Sequence, residues 1–134
     1  MPTESGMIDE LRRDQIQMPP LSFRFLQSNG NIGREFGLDA VVEVSWRGEK
    51  VRFAVECKSL STPKAFQAGL NHLKSVNLPE SILPMLCLPF LSENQLKQLE
   101  DEEVSGIDLS GNGVVIVPGK FYVFRTGGKN RFKS

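Results

Sequence analysis

Along residues 51–58 apolar and polar side chains alternate. Val51, Phe53, Val55 and Cys57 fall on one face, and Arg52, Ala54, Glu56 and Lys58 on the other. A period of two marks a strand that turns one face to a core. Upstream, Ala40 to Trp46 reads as a second strand, and Arg47-Gly48-Glu49-Lys50 as the turn joining the two into a hairpin. Loop length decides the register. A two-residue loop, Arg47-Gly48, sets Glu56 across from Asp39, whereas a four-residue loop, Arg47 to Lys50, sets Lys58 there. Either even loop keeps Asp39, Glu56 and Lys58 on one face, and a three-residue loop turns the first strand over.

The same reading extends to both ends. Glu4 to Gln17 has helical composition, with Met7, Ile8, Leu11 and Gln15 on one side and Met18-Pro19-Pro20 as a stop. Residues 21–27 form a first strand with Phe23 and Phe25 on one face, and Ser28 to Gly33 is rich in turn residues. Thr62 as N-cap and Pro63 at the first helical position start a helix over 62–76, whose Phe66, Leu70 and Leu73 make an apolar stripe. Ser81 to Leu88 is a buried strand in which Pro84 implies an edge or a bulge. Ser92-Glu93-Asn94-Gln95 matches a capping box for a helix that turns Leu96 and Leu99 inward. Gly106 to Leu109, Val114 to Val117 and Phe121 to Arg125 are short strands separated by Gly- and Pro-containing turns. The predicted fold is α/β. A central mixed sheet is flanked by helices, with antiparallel strands 21–27, 38–46 and 51–58, a crossover to 82–88, and a carboxyl-terminal β-hairpin. Residues 1–126 make one domain, and 127–134 a basic tail or linker that leaves room for a further domain in a longer parent protein.

At 134 residues, with 40% hydrophobic and 24% charged residues, the chain has the makings of one core. Sixteen basic and sixteen acidic residues cancel, so no overall positive field announces a nucleic-acid partner. The distribution is uneven. Acids crowd between Glu93 and Glu103, while Lys120, Arg125, Lys129, Arg131 and Lys133 carry the last stretch without an acid. Cys57 and Cys87 lie in apolar strands outside any Cys-x-x-Cys pair, which argues against zinc and for small buried side chains in a reducing compartment. No apolar run has membrane-spanning length and Met1-Pro2-Thr3-Glu4 opens no signal peptide, so a cytoplasmic protein without a membrane partner is expected. The lone His72, mid-helix, gives little support to histidine-based catalysis.

Two carboxylates with a lysine beside them suit metal-dependent phosphodiester hydrolysis. The carboxylates hold a divalent cation and the lysine orients or activates a water. Gly37-Leu38-Asp39, a hairpin, and then Val55-Glu56-Cys57-Lys58 resemble the PD-(D/E)XK, or restriction-endonuclease-like, nuclease superfamily over roughly residues 20–90. Leu38 stands where a proline often precedes the aspartate.

The resemblance implies a nuclease acting on nucleic acid, DNA foremost, with Mg2+ or Mn2+. Asp39, Glu56 and the Cys57 backbone carbonyl would bind the cation, and Lys58 would orient the attacking water. Gln67 stands at an accessory position one turn into the helix, and Glu10, or its neighbour Asp9, would complete the metal site. Lys64, Lys74, Arg125, Lys129, Arg131 and Lys133 are the candidate phosphate contacts, and pairing of two chains stays open. Two other readings stand beside this one. A catalytically silent nuclease fold would serve as a nucleic-acid or protein-binding module. A small α/β interaction domain would carry the triad as an incidental charge cluster, with Asp39 and Lys58 far apart or on opposite faces.

Overall fold

The computed structural model describes residues 3–13, 18–28 and 37–130. In chain order these form α1 (Glu4–Arg12), β1 (Ser22–Ser28), β2 (Ala40–Trp46), β3 (Glu49–Cys57), α2 (Pro63–Ser75), β4 (Ile82–Leu88), α3 (Glu93–Asp101), β5 (Ser105–Asp108), β6 (Gly113–Val117) and β7 (Phe121–Arg125). The predicted loop after Ser28 and the end of the first predicted helix, residues 14–17, lie outside the described residues.

All the described strands join one seven-stranded mixed sheet in the order β1 to β7. The β3–β4 and β4–β5 pairs are parallel and the others antiparallel. The carboxyl-terminal hairpin, β6 with β7, therefore extends the sheet through β5.

The β2–β3 turn takes the shorter of the two even loops. Arg47 and Gly48 both have positive φ, at 52° and 83°, which is the primed turn whose twist matches a hairpin. Ala40 then pairs with Val55 and Trp46 with Glu49. One residue before β2 the ladder departs from this register, since the Asp39 N–H turns to Val55 O at 2.9 Å.

Alternation sorts the side chains onto two faces. Ala40, Val42, Val44, Phe53, Val55, Cys57, Met85 and Ile107 build one buried cluster with Met7 of α1. Ala54, Leu86, Leu88 and Val114 build the other with Phe66, Leu70 and Leu73 of α2 and Leu96 and Leu99 of α3. The result is three layers, with α1 on one face and α2 and α3 on the other.

Both long-predicted helix starts form. The Thr62 hydroxyl accepts from Ala65 N–H at 3.1 Å with Pro63 in the first turn. Ser92 and Gln95 make the reciprocal capping box. Gly69 lets α2 ride close to the sheet, because a Cβ there would stand 2.5 Å from Leu86 Cδ1 and 3.3 Å from Lys58 Cγ.

Pro84 shows how an edge signal can sit in an inner strand. β4 is flanked by β3 and β5, but β5 begins opposite Met85. Cys87 O accepts from Lys58 N–H of the β3 segment, so odd-numbered residues of β4 face β3 and Pro84 faces the β5 side. Its missing N–H thus falls where no neighbour needs it. Among the described residues no helix is long and apolar enough to cross a membrane.

Candidate active site

The carboxyl ends of β3 and β4 are where chemistry collects. Asp39 precedes β2, and its main chain joins the ladder by donating N–H to Val55 O at 2.9 Å. Its side chain turns back across the strand end, where Oδ2 accepts the Cys57 N–H at 2.8 Å. Glu56 is beside the Asp39 carboxyl, on the face covered by α2, and only 5% exposed. Lys58 follows two residues on. The stem of Lys58 lies against Gly69 of α2.

The Cys57 carbonyl is oriented by the same strand. Lys58 N–H donates to Cys87 O at 3.0 Å, toward β4. Among the described residues the only cis peptide is Pro19-Pro20, so the 57–58 peptide is trans and its carbonyl points the opposite way, toward the β2 edge and Asp39. Two carboxylates and one backbone oxygen therefore serve one strand end.

One side chain at this site carries no local signal of its role. His72, from α2, places Nδ1 on Glu56 Oε2. The other edge of its ring faces Gly37, whose φ of 68° carries the chain past it toward Asp39. The only signal in the sequence is the phase of the helix. His72 is three residues after Gly69, on the face that meets Lys58 and Glu56.

Burial pushes the Glu56 carboxyl up to about 7, the Asp39 carboxyl beside it adds to the rise, and His72 pulls it back. Below about pH 4.5 the folded and unfolded chains both hold this proton. Between there and about 7 only the folded chain does, and above 7 a buried negative charge must be tolerated. Metal-free protein should therefore lose stability relative to Glu56→Gln as pH rises from 5 to 8, by something on the order of 3 kcal/mol. Urea midpoints of the two proteins in chelator at both pH values measure the gap, and a gap that fails to widen refutes the assignment.

The other predicted site residues are scattered. Gln67 is exposed and spends its amide on Asn71, at 2.9 Å, and Gln98 of α3, at 3.3 Å. It lies about 200° around the helix from Gly69, so it is turned away from Glu56. Glu10 belongs to α1, which packs on the opposite face, so the sheet stands between it and the Asp39–Glu56 pair. The same holds for its neighbour Asp9. Lys74 donates to Glu102, the C-cap of α3, which holds the Glu102 carboxyl below its usual range. Arg125 donates to Pro19 O at 2.9 Å. Lys64 stays exposed and, with Lys58, Leu60 and Thr62, lines a cavity of about 380 Å³ at the start of α2. Lys129 follows Gly128, whose N–H and carbonyl pair with the Asn112 side chain at 2.8 and 3.2 Å. Arg131 and Lys133 lie outside the described residues.

A larger cavity, about 970 Å³, opens at the other end of β3 and β4 between Lys50, Arg52, Glu80 and Lys120. Size favours it, but its charges are mixed and Lys120 is paired with Glu49 at 3.3 Å. Ligand sites of α/β sheets lie at the carboxyl ends of parallel strands, and the convergent acids are there. Cys57 and Cys87 are register neighbours, buried and free, and contact with Cys87 together with burial pushes the Cys57 thiol up, as suits inert core thiols. As the side chains stand, no three His, Cys, Asp or Glu among the described residues are grouped to hold a metal ion. The chain matches no family model, no curated protein and no solved structure in the comparisons made with each.

Proposed function

We propose that the chain is a divalent-metal-dependent nuclease of the PD-(D/E)XK type, hydrolysing nucleic-acid phosphodiesters with DNA as the substrate. The observation that carries this reading is the meeting of Asp39 and Glu56 at one strand end with the Cys57 carbonyl turned to the same edge. The chemistry of the donor set suits a cation, which would draw together side chains that are not grouped around one as they stand. Glu56 is raised to about 7 by burial and by a second carboxyl, and a divalent charge is what such a pair lacks. Asp39, Glu56 and the Cys57 carbonyl would hold Mg2+ or Mn2+, which when bound supplies Lewis acidity and a more acidic water.

The chain's own residues would do the rest. Lys58, its stem fixed against Gly69, would orient the attacking water and balance charge gathering on the phosphate. Lys64 lies beyond it along the same cavity, where it would meet the backbone of the nucleic acid. Hydrogen bonds from Ser61 through Phe90, Pro89, Ser110 and Asp108 to Asn112 run along this end of the sheet and reach Gly128. Lys129 thus follows a segment anchored at the same end of the sheet as Lys64.

A silent binding module is the second reading, favoured by two observations: His72 already occupies an oxygen of Glu56, and Lys74 is spent on Glu102. Calorimetric titration with Mg2+ or Mn2+ separates the two. Binding that is abolished in Glu56→Ala supports the nuclease, and heat that is absent or unchanged by the substitution leaves the silent module.

A further inference from the structure

We propose that His72 is a ligand as well as a neighbour of Glu56, and that it makes this site select metals that accept imidazole, Co2+ among them, over Mg2+. The inference rests on the cation site proposed above and goes beyond it, since nothing in the strand motif involves α2.

Four observations converge on His72. Its Nδ1 meets Glu56 Oε2, one of the oxygens a cation would need. The contact belongs to a ring 37% exposed on a carboxylate that is 6% exposed, so one partner can reorganise while the other cannot. The ring lies between Glu56 and the Gly37 turn that delivers Asp39, so it borders both carboxylates' supports. Its helix is held close by Gly69, one turn earlier on the same face.

Ligand chemistry then decides the metal. Mg2+ is a hard cation that takes oxygen and keeps its waters. At Glu56 Oε2 it competes with the imidazole–carboxylate hydrogen bond, and it gains nothing from the nitrogen it displaces. A cation such as Co2+ accepts imidazole readily, so once the proton shared in the hydrogen bond is released to solvent, Nδ1 and Oε2 both become ligands. The same residue thereby opposes one class of metal and recruits the other. A purely structural histidine, one that only fixes the Glu56 rotamer, would affect every cation alike.

The test is a comparison of metals. Wild type, His72→Ala and His72→Gln are titrated with Co2+ and with Mg2+ by calorimetry, and the Co2+ absorption spectrum is recorded for each. His72→Gln keeps an amide donor for Glu56 and removes the imidazole, and melting curves confirm that both variants fold. Co2+ affinity should fall by at least about 10- to 100-fold in both variants, the range already seen when a ligand loses only an outer partner. Mg2+ affinity should hold or rise, so the Co2+/Mg2+ preference collapses, and the spectrum should shift as nitrogen leaves the coordination shell. An equal change for both metals, or an unchanged preference, overturns the role of His72 and leaves the cation site standing. Wild-type affinities that Glu56→Gln does not alter overturn the cation site itself, and the role of His72 with it.

Discussion

Lys58→Ala is expected to cut cleavage by at least about 100-fold, the cost of removing one preorganised group that meets developing charge. It should leave divalent-cation affinity within about twofold, because lysine offers the cation no donor. Asp39→Ala and Glu56→Ala should lose cation binding and cleavage together. Asp39→Ala costs more besides, since its carboxylate also holds the Cys57 N–H at 2.8 Å and so shapes the strand end. Single-turnover cleavage of a DNA duplex in Mg2+ and in Mn2+, set beside calorimetry on the same proteins, separates the two patterns. Equal cleavage by all four proteins would identify a contaminating nuclease and end the proposal. Loss of cation binding in Lys58→Ala would show that its stem, packed on Gly69, supports the site rather than serving the water.

What could be read from the sequence was what the main chain enforces locally. The period of two over residues 51–58 was enough to put Glu56 and Lys58 on one face. The even loop formed, but Asp39 reaches the strand end through a local departure from the hairpin register that alternation does not show. Which even loop forms rested on Arg47 accepting a positive φ beside Gly48, a tolerance that pattern alone does not reveal. The capping residues Thr62 and Ser92 marked their helices because a cap is a contact between residues three apart.

The parts that could not be read depend on how layers stack. Glu10 is on a helix whose amphipathic pattern says that it packs, not on which face of the sheet. Lys74 reads as a free cation until α3 brings Glu102 alongside it. His72 reads as one residue of a helix surface until Gly69 allows α2 close enough to bring the ring to Glu56. Gln67 is a different case. The stripe of Phe66, Leu70 and Leu73 already fixes the helix phase, and by that phase Gln67 faces α3 rather than the acids.

Asp108→Ala should destabilise the protein by roughly 3 to 5 kcal/mol, the range for stripping the charge from a buried polar network. Asp108 is 2% exposed at the end of β5, on the α2–α3 side of the sheet, and so by burial alone it looks as interesting as Glu56. Its oxygens say otherwise. Oδ2 accepts from Leu91 N–H and Asn112 Nδ2, and Oδ1 from the N–H groups of Ser110 and Asn112, each at 2.8 Å. Burial raises this carboxyl, while the four donors pull it back toward the charged form. Alanine would orphan all four at once and release Asn112, which clamps Gly128. Asparagine would keep one oxygen but set its own NH2 group against donors, and should cost less than alanine without being neutral. Urea unfolding at pH 7 to 8 measures the loss. The contrast with Glu56 is the sharper result. Both acids are buried, but Glu56→Gln should gain stability in metal-free protein at pH 8 and Asp108→Ala should lose it. A carboxylate whose removal stabilises the fold is held there for something other than the fold. If instead both substitutions destabilise alike, Glu56 is a structural acid like Asp108, and the case for a cation at its side is gone.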